Sequence, residues 1–369
     1  MADTNPSPTP LPPLISLEEH FFSTAHLASA PPDTYSEQLK HIPGLLDQLT
    51  DLDQTRLQSM DADNIAIQVI SHGPTQPTLT PDTSRATNLE LHAALVSHPT
   101  RLAGFAALPM TNPDAAAKEL AFCIEELGFV GALIDSHTAT GTTYETAEYS
   151  SFWYTAQSLG VPIYLHPTWA TQAQRAALFE TPRAAPGFEA SIAASGWGWH
   201  SEVAVHFFKL FAAGVFDRFP RLKILLGHFG EMIPFMLGRV CALSARWGPR
   251  QRSFRQVWDE NVWVTTSGVW GLDPLRCVLS PGNTRLERVL FSVDYPFARN
   301  EDGRRFMEEL RDSGLVDERG LRMIAFENAQ KLLGIRVRRK EEERDRELDL
   351  EDADDDDGGR VDVTIIQAL

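Results

Sequence analysis

Eight short runs rich in apolar and β-branched residues recur along the chain, and they limit its fold more than any other feature. They read LISLEEH from Leu14, IAIQVISHG from Ile65, LAGFAALPM from Leu102, FVGALIDSH from Phe129, PIYLHP from Pro162, LKILLGHFG from Leu222, NVWVTTSG from Asn261 and RVLFSVDYPF from Arg288. Segments of helical spacing separate them. SRATNLELHAALVSHP opens on a Ser cap and stops before Pro, and NPDAAAKELAFCIEELG has Asn at its start, Pro in its first turn and Gly at its stop. Strands that are apolar throughout and alternate with helices imply a parallel sheet covered on both faces. Eight such units over about 320 residues predict an α/β fold of the (β/α)8 barrel type. The competing open, doubly wound sheet lacks its GxGxxG turn after the first strand.

In a barrel, chemistry gathers where the strands end. Strand one ends Glu18-Glu19-His20, strand five His166-Pro167, strand six Gly227-His228-Phe229-Gly230-Glu231 and strand eight Asp294-Tyr295-Pro296. Period-two alternation puts Glu18 and His20 on one face of strand one and turns Glu19 to the other, toward the surrounding helices. Glu18, His20, His166 and Asp294 would then offer two imidazoles and two carboxylates to one point, a set suited to Zn²⁺, Mn²⁺ or Mg²⁺. Strand four, Gly131 to Asp135, has no lysine to bridge a second ion, so one divalent metal ion is expected. A lone histidine at a strand end is more often structural, and only the combination reverses that reading. His72 and His137 are weaker candidates for substrate contact. His26, His41, His92, His98, His200 and His206 fall in loops or helices and read as structural. Trp197 and Trp199, in the insertion after strand five, either wall a pocket or pack.

The segments LEEHF, VPIYLHPT, AAGVFDRFPRLKILLGHFGEMIPFMLGRV, TTSG and VLFSVDYPF, in that order between Leu14 and Ile335, resemble the amidohydrolase-related metal-dependent decarboxylases. The likeness is strongest to the γ-resorcylate and 2,3-dihydroxybenzoate decarboxylases. The resemblance implies non-oxidative loss of CO2 from an ortho-hydroxybenzoate of the salicylate or dihydroxybenzoate class, giving a phenol and reversible at high bicarbonate. It implies no organic cofactor. Its metal ligands fall on Glu18, His20, His166 and Asp294, and its acid–base residues on Asp294, His228 and Glu231. In that chemistry Asp294 protonates the ring carbon, hydrogen-bonded to a His228 that Glu231 orients. Substrate contacts are expected at Asp135, Phe297 and Arg239, the last reaching into a neighbouring subunit and so implying a homodimer or homotetramer. Relatives often carry Asn where this chain has Asp135, and an added carboxylate there would repel an anionic substrate unless paired. A metal-dependent hydrolase of a lactone or amide would use the same ligands, and Asp135 also motivates a barrel that only binds. The Gly residues around His228 have a plainer reading too, as a strand-to-helix turn with Glu231 favouring the helix dipole.

Charge sets the remaining expectations. The formal charge of −17 disfavours nucleic acid and anionic membranes as partners. Much of that excess lies in EEERDRELDLEDADDDDGG, which cannot build a core. The expected organisation is a flexible segment over residues 1–13, a catalytic barrel over 14–335 and a disordered acidic tail over 336–369. Three scattered cysteines argue against disulfides, and MADTNPSPTPLPPL lacks the pattern of a secretory signal, so a cytoplasmic protein is expected. No run is apolar for long enough to span a membrane. The segment Pro31 to Asp63 suggests no pocket residues.

Overall fold

The computed structural model describes residues 9–30, 35, 39–74 and 79–337. Residues 1–8 and the acidic tail from 338 onward, about which the sequence raised expectations, lie outside them. All eight runs form strands: β1 (Leu14–Phe21), β2 (Ile65–His72), β3 (Leu102–Ala107), β4 (Gly131–Asp135), β5 (Pro162–His166), β6 (Lys223–Leu226), β7 (Val262–Thr265) and β8 (Val289–Leu290). Each pairs in parallel with the next in sequence order. A helix follows every strand: α1 (Gln54–Ala62), α2 (Pro81–Ser97), α3 (Pro113–Glu125), α4 (Ser150–Leu159), α5 (Gly198–Ala212), α6 (Ile233–Ser244), α7 (Leu272–Val278) and α8 (Asn300–Ser313). The result is a nearly closed (β/α)8 barrel.

The core lies between barrel and helices. Ile70, Leu102, Ala132, Ile163, Ile224 and Val264 of the strands share one buried cluster with Leu91, Leu120, Trp153, Phe207, Leu237, Leu275 and Phe306 of the helices. Because both faces are covered, every residue of β1 is buried, its glutamates and histidine included. Helix α3 begins as expected, with the Asn112 side chain accepting from the Ala115 N–H. Helix α2 starts earlier than its sequence suggests. Thr80 is the cap and Pro81 the first residue, while Ser84 is interior and donates to the Ala107 carbonyl at 2.6 Å.

Two features bear on the site. β8 spans only two residues, and the chain beyond it meets β1 through single bonds, from His20 N–H to the Tyr295 carbonyl (2.6 Å) and from Glu18 N–H to Ser292 Oγ (2.8 Å). The segment Pro31 to Asp63 also contributes more than its sequence suggested. Helix α1 carries Arg56, which is fully buried behind β1 and donates to the His20 carbonyl at 2.7 Å. Tyr35, Leu45 and Leu49 cluster with Phe22, and Phe297 packs against that group.

Candidate active site

The ends of β1 and β5 and the loop after β8 bring Glu18, His20, His166 and Asp294 together. One ligand atom each from Glu18, His20 and His166 lies within 4.8 Å of the others. His166 Nε2 is 3.2 Å from Glu18 Oε1, and His20 Nε2 is 3.2 Å from Asp294 Oδ1. Hydrogen bonding elsewhere fixes which atoms face inward. His166 Nδ1 sits 2.7 Å from the Pro167 carbonyl, which can only accept, so Nδ1 carries a proton and Nε2 is the atom turned toward Glu18. Glu18 Oε1 and His20 Nε2 are themselves buried without a hydrogen-bond partner. Converging, unsatisfied acceptors of this kind fit a cation, because without one each costs its desolvation penalty.

Glu18 is pinned by its other oxygen. Oε2 accepts from the hydroxyls of Tyr164 and Ser267, and Thr265 Oγ1 completes the group at 2.7 Å from the Tyr164 hydroxyl. Gly227 makes room for this carboxylate. A Cβ there would stand 2.9 Å from Glu18 Oε2 and 3.0 Å from the Tyr164 hydroxyl. Behind the second ligand, Ser71 Oγ lies 3.3 Å from His20 Nδ1.

Charge within the site is partitioned. Burial would raise the Glu18 carboxyl, but the neighbouring rings of His228, His166 and His20 hold it well below the usual range. Burial and the adjacent His166 push His20 down to about 3, keeping it neutral as a ligand should be. Burial, reinforced by the charge of Glu18 and opposed by His228, His166 and His200, lifts Asp294 to about 8. A bound cation acts on both carboxylates in the direction of ionisation.

The GHFGE segment is a turn, though an unusual one. His228, Phe229, Gly230, Glu231 and Met232 all have positive φ, at 49, 55, 83, 53 and 63°, making one left-handed turn before α6. Non-glycine residues resist this conformation by about 1–2 kcal/mol each, so the surroundings must hold it. The turn aims His228 and Glu231 at each other, with Nδ1 to Oε1 at 2.9 Å. The other Glu231 oxygen meets His200 Nδ1 at 2.7 Å. Burial alone would lower His228, but the charges of Glu231 and Glu18 raise it to about 10. Glu231 serves as His228's partner and not only as a helix-start charge.

Some expectations shift. His228 was to bond Asp294; instead its Nδ1 meets Glu231 and its Nε2 faces Glu18 Oε1 at 3.8 Å. Glu19 does face away from Glu18 and His20, yet its carboxylate binds the backbone after β8. His200, assigned a structural role from its place in a helix, belongs to the site. Its only sequence signal is position, since the insertion carrying it leaves the same rim as His166.

Phe297 sets its ring against His20, 5.5 Å between centroids. Asp135 is buried beside His166 in strand register. Arg239 lies on the exposed side of α6 near Phe235, which is 81% exposed. His72 and His137 are engaged internally: His72 Nε2 accepts from Ser23 N–H at 3.0 Å, and His137 Nε2 pairs with Glu202 at 3.2 Å. Trp199 packs on Trp169 at 4.9 Å, while Trp197 is largely exposed.

The family described as Amidohydrolase matches residues 25–335. Decarboxylase orsB of Emericella nidulans is 49% identical over 335 residues, covering 89% of this chain and 99% of that protein. A γ-resorcylate decarboxylase of Polaromonas sp. is 35% identical over 339 residues, covering 86% of this chain and 97% of that protein. Among solved structures, a dihydroxybenzoic acid decarboxylase from Polaromonas sp., with bound manganese and the inhibitor 2-nitroresorcinol, superposes with a TM-score of 0.73. It is 31% identical and covers 87% of this chain and 97% of that one.

Proposed function

The chain belongs to the amidohydrolase family, in the branch of metal-dependent decarboxylases, and from that premise we propose that it is a carboxy-lyase removing CO2 from an ortho-hydroxybenzoate. The observation that carries this reading is the pair of orphaned acceptors, Glu18 Oε1 and His20 Nε2, converging with His166 and Asp294 beside the His228–Glu231 pair. Glu18, His20, His166 and Asp294 would hold one divalent ion, as manganese is bound in the solved relative, and that ion would supply Lewis acidity toward the substrate.

The chain's own groups account for the rest. Asp294 carries the proton that must reach the carboxyl-bearing carbon. When that carbon is protonated the ring loses aromaticity, and breaking the carbon–carbon bond returns the pair of electrons to the ring as CO2 leaves. His228, held as a cation by Glu231, favours the anionic form of groups facing it and can return a proton to the site. Phe297 offers a ring edge beside His20 on which an aromatic substrate can rest. The same steps run backwards at high bicarbonate. Arg239, exposed on α6, is assigned to a neighbouring subunit's site, where it would meet the substrate carboxylate.

Incubating the Mn²⁺-loaded protein with a panel of salicylates and dihydroxybenzoates tests the reading. Release of CO2 with a matching phenol is expected. Hydrolysis of a lactone or amide without CO2 would instead assign the barrel to metal-dependent hydrolysis.

A further inference from the structure

We propose that Glu19 is a positioning residue, a buried carboxylate on β1 that clamps the backbone on both sides of Asp294 and so sets the fourth ligand in place. The inference rests on the ion site just described. Its ground is the join between the first and last strands. Elsewhere around the barrel a ladder of backbone bonds joins each strand to the next, but β8 is two residues long and, among the described residues, no such ladder joins it or the chain beyond it to β1. The Glu19 side chain stands in that place.

One of its oxygens, Oε1, accepts from the Val293 N–H at 3.0 Å, and the other, Oε2, from the Tyr295 N–H at 2.9 Å. These donors flank Asp294. Between them Asp294 has a φ of 74°, a conformation that a non-glycine residue holds only when its surroundings enforce it. The Tyr295 carbonyl closes the ring of bonds by accepting from His20 N–H at 2.6 Å. Ser16 Oγ donates to Glu19 Oε1 and so holds the carboxylate from the β1 side. Arg56 backs the arrangement, donating to the His20 carbonyl with its guanidinium 4.9 Å from the centre of the Tyr295 ring. Glu19 is fully buried and lies on the face of β1 opposite Glu18 and His20, so it acts on Asp294 through the backbone and not on the ion.

A carboxylate satisfies two N–H donors at once, whereas an amide offers one oxygen and turns an N–H toward the other donor. Glu19→Gln therefore loses one side of the clamp. Expected in E19Q is Mn²⁺ binding about tenfold weaker or more, read from free Mn²⁺ by electron paramagnetic resonance, with secondary structure by circular dichroism unchanged. In an Asp294→Asn background the same substitution should alter Mn²⁺ affinity by less than about twofold, because its route to the ion is already cut. Equal losses in both backgrounds, or none in the first, overturn the proposal. Should E19Q not fold, Ser16→Ala decides. It frees the carboxylate without touching the loop and should weaken Mn²⁺ binding about threefold, and unchanged affinity rejects the clamp. Wild-type protein that binds no Mn²⁺ overturns the ion site itself, an outcome distinct from an unchanged ratio between variants.

Discussion

Side chains in this site act in complementary pairs, in which one holds and another is held. Glu18 uses one oxygen to anchor itself on Tyr164 and Ser267 and leaves the other bare. Gly227 permits that anchoring by omitting a side chain. Gly227→Ala should fold, since its φ of −68° suits any residue, yet its methyl would displace the Glu18 carboxylate. Turnover about tenfold lower or worse, with an intact thermal transition, is the expected result; full activity would mean that Glu18 tolerates the shift. Asp294→Asn keeps size and shape but removes the acid. A loss of kcat of about 10³ or more is expected from steady-state rates, with the fold retained by circular dichroism. Activity near that of the wild type would remove Asp294 from proton delivery.

Elements explain which of these roles could be read in advance. The eight strands announced themselves because fully covered strands must be apolar along their length, and the turn after each delivers polar residues to one rim. Glu18, His20, His166 and Asp294 were legible for that reason. Glu19 was legible only by face, since alternation says where a side chain points and not what meets it there. His200 and Arg56 were hidden because helices place residues by packing, which a periodic pattern does not record. Thr80 is hard to see as a cap because Pro81 begins the helix ahead of the first apolar repeat.

Helix α5 offers a test at this same scale. It buries His206 against Tyr144, whose N–H donates to Nε2 at 3.4 Å. Burial, aided by Lys209 and His137 and opposed by Glu145, lowers this ring from 6.5 to about 3. A histidine that stays neutral in the fold but charges when unfolded stabilises above the unfolded value. That contribution declines as pH falls from 6.5 toward 3, by up to about 1.4 kcal/mol per pH unit. Melting temperatures measured between pH 6.5 and 4 should fall less steeply in His206→Gln than in the wild type. Parallel curves would show that His206 does not contribute to acid lability.

For the whole molecule, the exposed Phe235 and Arg239 on α6 frame the question of assembly. If Arg239 serves a neighbouring site, then Arg239→Ala and Asp294→Asn should each be inactive alone yet complement one another when mixed. Random reassortment of a symmetric dimer would restore about a quarter of wild-type activity, since half the dimers are mixed and one site in each is whole. No recovery after subunit exchange would confine each site to its own chain. Among the described residues no helix is long and apolar enough to cross a membrane.

The join between the first and last strands also orders events in time. Glu18 and His20 leave the ribosome first, His166 follows His20 by 146 residues, and Asp294 with its flanking N–H donors comes 128 residues later still. Domains fold as their chains emerge, yet here no product ending before residue 294 holds the whole ligand set, and the Glu19 carboxylate waits for donors about 270 residues further along the chain. Binding through all four ligands therefore waits until the segment past Tyr295 has been made, and a chain that stops before Asp294 keeps the first three ligands without the acid that would make them a catalyst.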